Sequence, residues 1–117
     1  MNRVETPVRV QLSRKKGWKM PENTVKVDRS TIWGNNFKVE DFESAEECVA
    51  MFEHNLNKFM CFHPAKYDVY IRPLIGKNLG CWCKIGAPCH AEILLREAAV
   101  YGAWLAEEVP AHKEQAQ

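Results

Sequence analysis

The sequence predicts a small α/β domain with a sheet of three strands (or four), two long helices and one short helix. Three observations predict this class. Apolar and polar residues alternate over residues 8–12, 24–28 and 79–83, the two-residue period of a strand. Apolar residues recur at three- and four-residue spacing over 45–59 and again over 94–105, the buried stripe of a helix. The segments follow one another as strand, strand, helix, short helix, strand, helix.

Length and composition set the bounds. A chain of 117 residues suffices for one compact domain and not for two. We place that domain at residues 1–109 and read 110–117 as a flexible polar tail. Hydrophobic residues at 46% and charged residues at 26% are ordinary for a soluble globular protein. No apolar run reaches transmembrane length, and residues 1–5 lack the apolar segment of a signal peptide. The expectation is a cytoplasmic protein with no membrane partner. Five cysteines, three of them within residues 81–89, then point to metal binding, catalysis or burial before disulfides. The net charge of +1 hides an asymmetry: residues 1–38 hold nine Lys/Arg against three Asp/Glu. A basic N-terminal third suits a phosphate-bearing partner or nucleic acid, although a solvated basic loop has the same composition.

The first strand sets Val8, Val10 and Leu12 inward between Arg9, Gln11 and Ser13. A basic loop follows, Arg14-Lys15-Lys16-Gly17-Trp18-Lys19-Met20-Pro21, punctuated by Gly17 and Pro21. Trp18 among cations could stack on a base; we read it as core or edge cover. The second strand turns Val25 and Val27 inward and runs into Arg29-Ser30-Thr31-Ile32-Trp33-Gly34-Asn35-Asn36-Phe37. Gly34, Asn35 and Asn36 tolerate positive φ, so this backbone can curl and present its amides, as in an anion-binding nest. An ordinary strand-to-helix turn with Trp33 and Phe37 as core anchors is the competing reading.

Ser44-Ala45-Glu46-Glu47 is a capping box. Behind it Ala45, Cys48, Val49, Phe52, Leu56 and Phe59 share one helix face, and Cys48 there is a small apolar filler. Residues 60–63 close the helix ahead of Pro64; Cys61 and His63 have no matching metal-ligand partners in the sequence. Over residues 64–74, Tyr67, Ile71 and Leu74 fit a helix, whereas Val69 and Ile71 fit a strand. Pro73 disfavours helix at Arg72, and a short helix is expected. Gly76 and Lys77 lead into the third strand.

That strand opens the densest stretch of chemistry. Leu79, Cys81 and Cys83 alternate with Gly80 and Trp82, Gly86 and Pro88 break the strand, and Leu94, Ala98, Tyr101 and Leu105 form the stripe of the next helix. Pro88 suits the first turn of that helix, which places Cys89 and His90 at its start. Free N–H groups and the positive dipole end favour anions there and favour a thiolate. Adjacent helix residues diverge by about 100 degrees, so Cys89 and His90 are not predicted to form a dyad.

The run Leu12-Ser13-Arg14-Lys15-Lys16-Gly17-Trp18-Lys19-Met20-Pro21, with residues 27–37, resembles the start of a family of small bacterial and phage proteins catalogued as domain of unknown function 4326. Gly76-Lys77-Asn78-Leu79-Gly80-Cys81-Trp82-Cys83 with Pro88-Cys89-His90-Ala91-Glu92-Ile93-Leu94 resembles the family's second signature. The likeness runs from about Val8 to Ala99. The family's loop usually reads Trp-Gly-Asn-Pro-Phe, and Asn36 stands here in the proline position. The resemblance supports the fold and the two-motif site, and it implies no activity. A more distant similarity, to another uncharacterised family with a cysteine-bearing strand and Cys-His at a helix start, would imply a Rossmann-like core.

If the strands are parallel neighbours, both motifs lie at their carboxyl ends, where open α/β sheets bind ligands. The leading expectation is therefore a crevice for a nucleotide or other phosphate-bearing ligand, with no cofactor. Arg29, Ser30, Trp33, Gly34, Asn35, Asn36 and Cys83 would bind it, and thiol catalysis there would use Cys89 as nucleophile and His90 as acid/base. Core packing of Cys81, Cys83 and Cys89 is the structural alternative. A second expectation is a structural zinc site from Cys81, Cys83, Cys89 and His90, whose ligand types suit zinc but whose spacing departs from the usual zinc modules. A third is a nucleic-acid-binding accessory protein using the basic N-terminal third, although no reader motif is present. Oligomeric state leaves no mark on the sequence.

Overall fold

A computed structural model of the protein describes residues 6–116, with side chains except those of Val39 and residues 108–116. Residues 1–5, read above as lacking an apolar leader, and Gln117 of the polar tail lie outside the described residues. Three short strands form one parallel sheet: β1 (Arg9–Gln11), β2 (Thr24–Lys26) and β3 (Asn78–Cys81). Their order is β1-β3-β2, and both pairings are parallel. Arg9 stands opposite Leu79, and Thr24 opposite Asn78. The last strand in sequence is thus the middle strand in space. Its Leu79, Gly80 and Cys81 are all buried, as expected of a central parallel strand covered on both faces. Gly80 keeps that strand close to its neighbours, since a Cβ there would lie 2.9 Å from Leu12 Cδ2. Two further bonds carry the pairing past the strand ends: Leu12 N–H donates to Cys81 O and Val27 N–H to Gly80 O, each at 2.9 Å.

Helix α1 (Ala45–Phe62) begins where the capping residue predicts. Ser44 Oγ accepts from Glu47 N–H at 3.2 Å. The Glu47 carboxylate accepts from Glu43 N–H at 3.3 Å, so the reciprocal half of the box reaches one residue further back than expected. Cys48, Phe52 and Leu56 are buried along one face, with Val49 and Phe59 packed beside them. Helix α2 (Pro64–Ile71) follows at once with Pro64 in its first turn. At Pro73 it tightens into a 3-10 turn, Arg72–Leu74, which keeps residues 64–74 helical. Helix α3 (His90–Ala116) carries the backbone past the 109/110 boundary drawn from the sequence. It starts at His90, so Pro88 precedes the helix instead of sitting in its first turn. Cys89 takes the capping position, its carbonyl accepting from Glu92 N–H at 3.1 Å.

Val27, Tyr67, Ile71, Leu74, Leu79 and Leu94 are the largest fully buried side chains. They come from the end of β2, from α2 and its 3-10 turn, from β3 and from α3, and they join one core. Burying an aliphatic side chain of this size stabilises the fold by roughly 1.5–3 kcal/mol. The architecture is the predicted small α/β domain with a three-stranded sheet, two long helices and one short one, and no fourth strand occurs among the described residues. No helix among them is long and apolar enough to cross a membrane.

Candidate functional site

Past the carboxyl ends of β2 and β3 the two unusual stretches meet. Two hydrogen bonds join them. His90 Nε2 lies 2.6 Å from Val27 O, and Trp82 Nε1 donates to Asp28 Oδ2 at 2.8 Å. Between them opens a cavity of about 420 Å³. Arg29, Ser30 and Asn35 line it from one motif, and Cys81, Cys83, Cys89 and His90 from the other, with Phe37 and the first turn of α1 closing one side. The predicted crevice is present, but three predicted residues lie outside it. Trp33 turns to α2, donating from Nε1 to Tyr70 O at 2.8 Å. Gly34 and Asn36 line a separate, smaller cavity with Phe52 and Tyr70.

The loop after β2 is folded by its own side chains. Asp28 Oδ1 accepts from Ser30 N–H at 3.1 Å and from Ser30 Oγ–H, an Asx turn. Thr31 N–H donates to Asp28 O, and Gly34 N–H to Thr31 O. Trp33 N–H donates to Thr31 Oγ1, and Phe37 N–H to Asn35 Oδ1. These amides are spent within the loop, so the geometry is that of a closed turn, not of an open anion nest. Positive φ is found at Gly17, Asn23, Gly76 and Gly86, not at Gly34, Asn35 or Asn36. Gly34 is needed for closeness instead: a Cβ there would stand 2.5 Å from Arg29 Cα and 2.6 Å from Asp28 O. Arg29 ties the same loop, donating from Nε to Asn35 O at 3.1 Å. Asn35 is buried and donates from Nδ2 to Cys48 O at 3.2 Å, fastening the loop to α1.

Opposite this loop the three thiols converge. The Sγ atoms of Cys81, Cys83 and Cys89 all lie within 4.8 Å of one another, and those of Cys81 and Cys83 are 4.0 Å apart. Strand alternation puts Cys81 and Cys83 on one side, and the loop at Gly86, where φ is +93, returns the chain so that Cys89 meets them. His90 lies against this group with Nδ1 3.9 Å from Cys89 Sγ. Because Val27 O can only accept, Nε2 is the nitrogen that donates to it, and Nδ1 is the ring atom turned toward the sulfur. Cys61 is exposed and belongs to no such group among the described residues.

The thiols share their protons unequally. The Cys89 thiol donates to Cys81, and with the Cys83 N–H and the nearby His90 ring this outweighs desolvation and pulls Cys81 down to about 5. Cys89, which gives that hydrogen bond and is also buried, is pushed up although the Ala91 N–H at the helix start acts the other way. Burial, and then the charge on Cys81, also raises Cys83. Of the three, the strand thiol is thus the one whose thiolate form is favoured, with the neighbouring Cys89 thiol the largest cause.

This sequence matches the family described as a domain of unknown function, DUF4326, over residues 10–100. The chain belongs to this family. No curated protein matches it, and no solved structure does. The matched region contains β2, β3, all of β1 but Arg9, and both halves of the crevice.

Two residues of the candidate site escaped sequence reasoning. Asp28 is buried at the crevice. Desolvation pushes its carboxyl up, but hydrogen bonds from Ser30 and Trp82 outweigh this and hold it below the ordinary value of 3.8. The Asp-Arg-Ser run at its start was a legible Asx-turn signal. The Arg9 side chain is almost wholly covered beside the cysteine strand. It donates from Nη1 to Cys81 O at 3.2 Å and from Nη2 to Cys83 O, and its Nε forms an ion pair with Glu92 at 3.6 Å. A strand position flanked by Val8 and Val10 carries no sign of this inward clamp.

Proposed function

We propose that this DUF4326 protein holds a zinc ion on the thiolates of Cys81, Cys83 and Cys89. One observation carries the reading: three sulfurs from a strand end, a loop and a helix cap lie within 4.8 Å of one another. Zinc–sulfur bonds of about 2.3 Å set the sulfurs of a tetrahedral site roughly 3.8 Å apart, so small side-chain adjustments suffice. Its surroundings support the reading. The Arg9 guanidinium grips the carbonyls of two of the three cysteines, fixing their backbone and opposing the negative charge that three thiolates bring to a divalent ion. Metal analysis tests this. Protein purified under reducing conditions without chelator is expected to carry one zinc per chain, which Cys81→Ser, Cys83→Ser and Cys89→Ser each remove. Wild-type protein that takes up no zinc under any loading condition would end the proposal.

A second reading has its own observation in favour: the crevice is of ligand-binding size and carries Arg29 and Ser30 at its wall. A nucleotide or other phosphate-bearing molecule bound there would set its phosphate against Arg29 and its base against Phe37 or Trp82. Nucleotide titration followed by NMR checks this reading. Shifts confined to Arg29, Ser30 and Trp82 support it, and no shift at millimolar nucleotide refutes it.

A further inference from the structure

Resting on the zinc reading, we infer that the metal keeps one coordination position for a small-molecule thiol that enters from the crevice. Zinc bound by three protein ligands completes its tetrahedron with water or an outside donor. Among the described residues no fourth ligating atom shares the mutual distances of the three sulfurs. Two other possible donors in the same cavity wall, His90 and Asp28, do not complete the set. His90 is fixed through Nε2 on Val27 O, and its Nδ1, although 3.9 Å from the Cys89 sulfur, does not lie within 4.8 Å of all three sulfurs. Asp28 has both carboxylate oxygens occupied, Oδ1 by Ser30 and Oδ2 by the Trp82 indole. Meanwhile all three cysteines line the same cavity of about 420 Å³, so the remaining vertex has space in front of it.

The surroundings select the donor. Three thiolates make a soft, electron-rich site in which a fourth sulfur is at home. The wall beyond is largely apolar, with Ala45, Val49, Phe37 and Pro88, and suits an organic substituent on that sulfur. A fourth thiolate adds a negative charge, which Arg9 beside the cysteine strand and Arg29 at the wall oppose. On binding, the incoming thiol loses its proton to solvent, its sulfur bonds to the metal, and the metal-bound water leaves. No electron is transferred.

Cobalt replaces zinc for the test because its spectrum reports the number of bound thiolates. Cobalt-loaded wild-type protein, free of added thiol, is titrated with 2-mercaptoethanol, and bound cobalt is re-measured after gel filtration. The expected result is a saturable rise of about one third in sulfur-to-cobalt charge-transfer absorption, as three thiolates become four, with cobalt still bound one to one. The His90→Gln variant should keep both the metal and the response. A wild-type spectrum indifferent to the thiol overturns this inference and leaves the zinc reading standing; so does loss of cobalt from His90→Gln together with a thiol-insensitive wild type. Failure of the wild-type protein to take up cobalt or zinc at all overturns both.

Discussion

His90, the first residue of α3, is hydrogen-bonded to Val27 at the end of β2: Nε2 and the carbonyl oxygen are 2.6 Å apart. Both residues are buried, and Phe52 of α1 packs its ring edge-to-face on the imidazole with centroids 5.1 Å apart. This one contact ties the two motifs and α1 together. His90→Ala leaves a buried carbonyl without its donor, at a cost of about 1–3 kcal/mol. Urea unfolding of the metal-free protein should show that loss, and an unchanged midpoint would mean that water takes the donor's place.

The five cysteines should divide into two functional sets. Cys48→Ser and Cys61→Ser are expected to leave zinc content unchanged, because Cys48 faces the core on α1 and Cys61 is exposed at its end. Alkylation should tell the same story. If zinc is held as proposed, it is expected to protect Cys81, Cys83 and Cys89 from iodoacetamide and to leave Cys61 reactive, as mass mapping with and without chelator can show.

Gly34→Ala and Gly17→Ala separate two reasons for a glycine. At Gly34 the new Cβ collides with backbone atoms 2.5 and 2.6 Å away, and the loop cannot yield without releasing Asp28. We expect a loss of about 3 kcal/mol, as for severe overpacking. At Gly17 the space is open and only a φ of +85 opposes the side chain, a strain of about 1–2 kcal/mol. Equal losses in thermal unfolding would show that the Gly34 loop can move as a unit.

Acid should weaken the crevice first at Asp28. Although desolvation opposes it, hydrogen bonding from Ser30 and Trp82 leaves its folded-state carboxyl below the ordinary 3.8. The stability it lends is therefore complete above that value and falls away as pH drops through the folded pKa. Asp28→Asn should flatten this acid limb of the stability curve below about pH 4. An acid limb of the same slope in the variant would assign the loss to other carboxylates.

The alkaline limb should come in part from Tyr67, beside Tyr70 and Tyr101, whose hydroxyls burial also raises. Burial, then the charges of Glu97 and Tyr101, push the Tyr67 hydroxyl from 10.0 up to about 12. Its contribution is full below pH 10, where the unfolded form also keeps its proton, and is lost as pH rises through about 12. Tyr67→Phe should be less sensitive to alkaline unfolding followed by circular dichroism. A steeper alkaline loss in the variant would refute this.

What the sequence revealed was mostly local. The Ser44 cap, the α1 stripe and the alternation around Leu79 each depend on neighbours a few positions apart, and each appears where expected. The start of α3 shifted because Pro88 is as comfortable just ahead of a helix as inside its first turn. Arg9 stayed hidden because its partners are carbonyls some seventy positions away, which no periodicity encodes. The loop around Gly34 was read as open because its composition permits positive φ. The hydroxyl and carboxylate acceptors of Thr31 and Asp28 instead consume its amides. The choice among thiols was equally out of reach, since the Cys81 thiolate is favoured by hydrogen bonding from Cys89, a contact made only by the loop's return.

The strand order has a consequence for how the chain folds. β1 and β2 lie at opposite edges, and each finds its partner only in β3. Until that strand has been synthesised the chain can form α1 and α2 but no sheet, and the two outer strands wait unpaired. Such distant parallel pairing is slow to form. When β3 docks it delivers the ladder, the floor of the crevice and the first of the three sulfurs in one step. An ion that needs those sulfurs together finds them only on finished molecules, so bound metal would mark the chains that have completed folding.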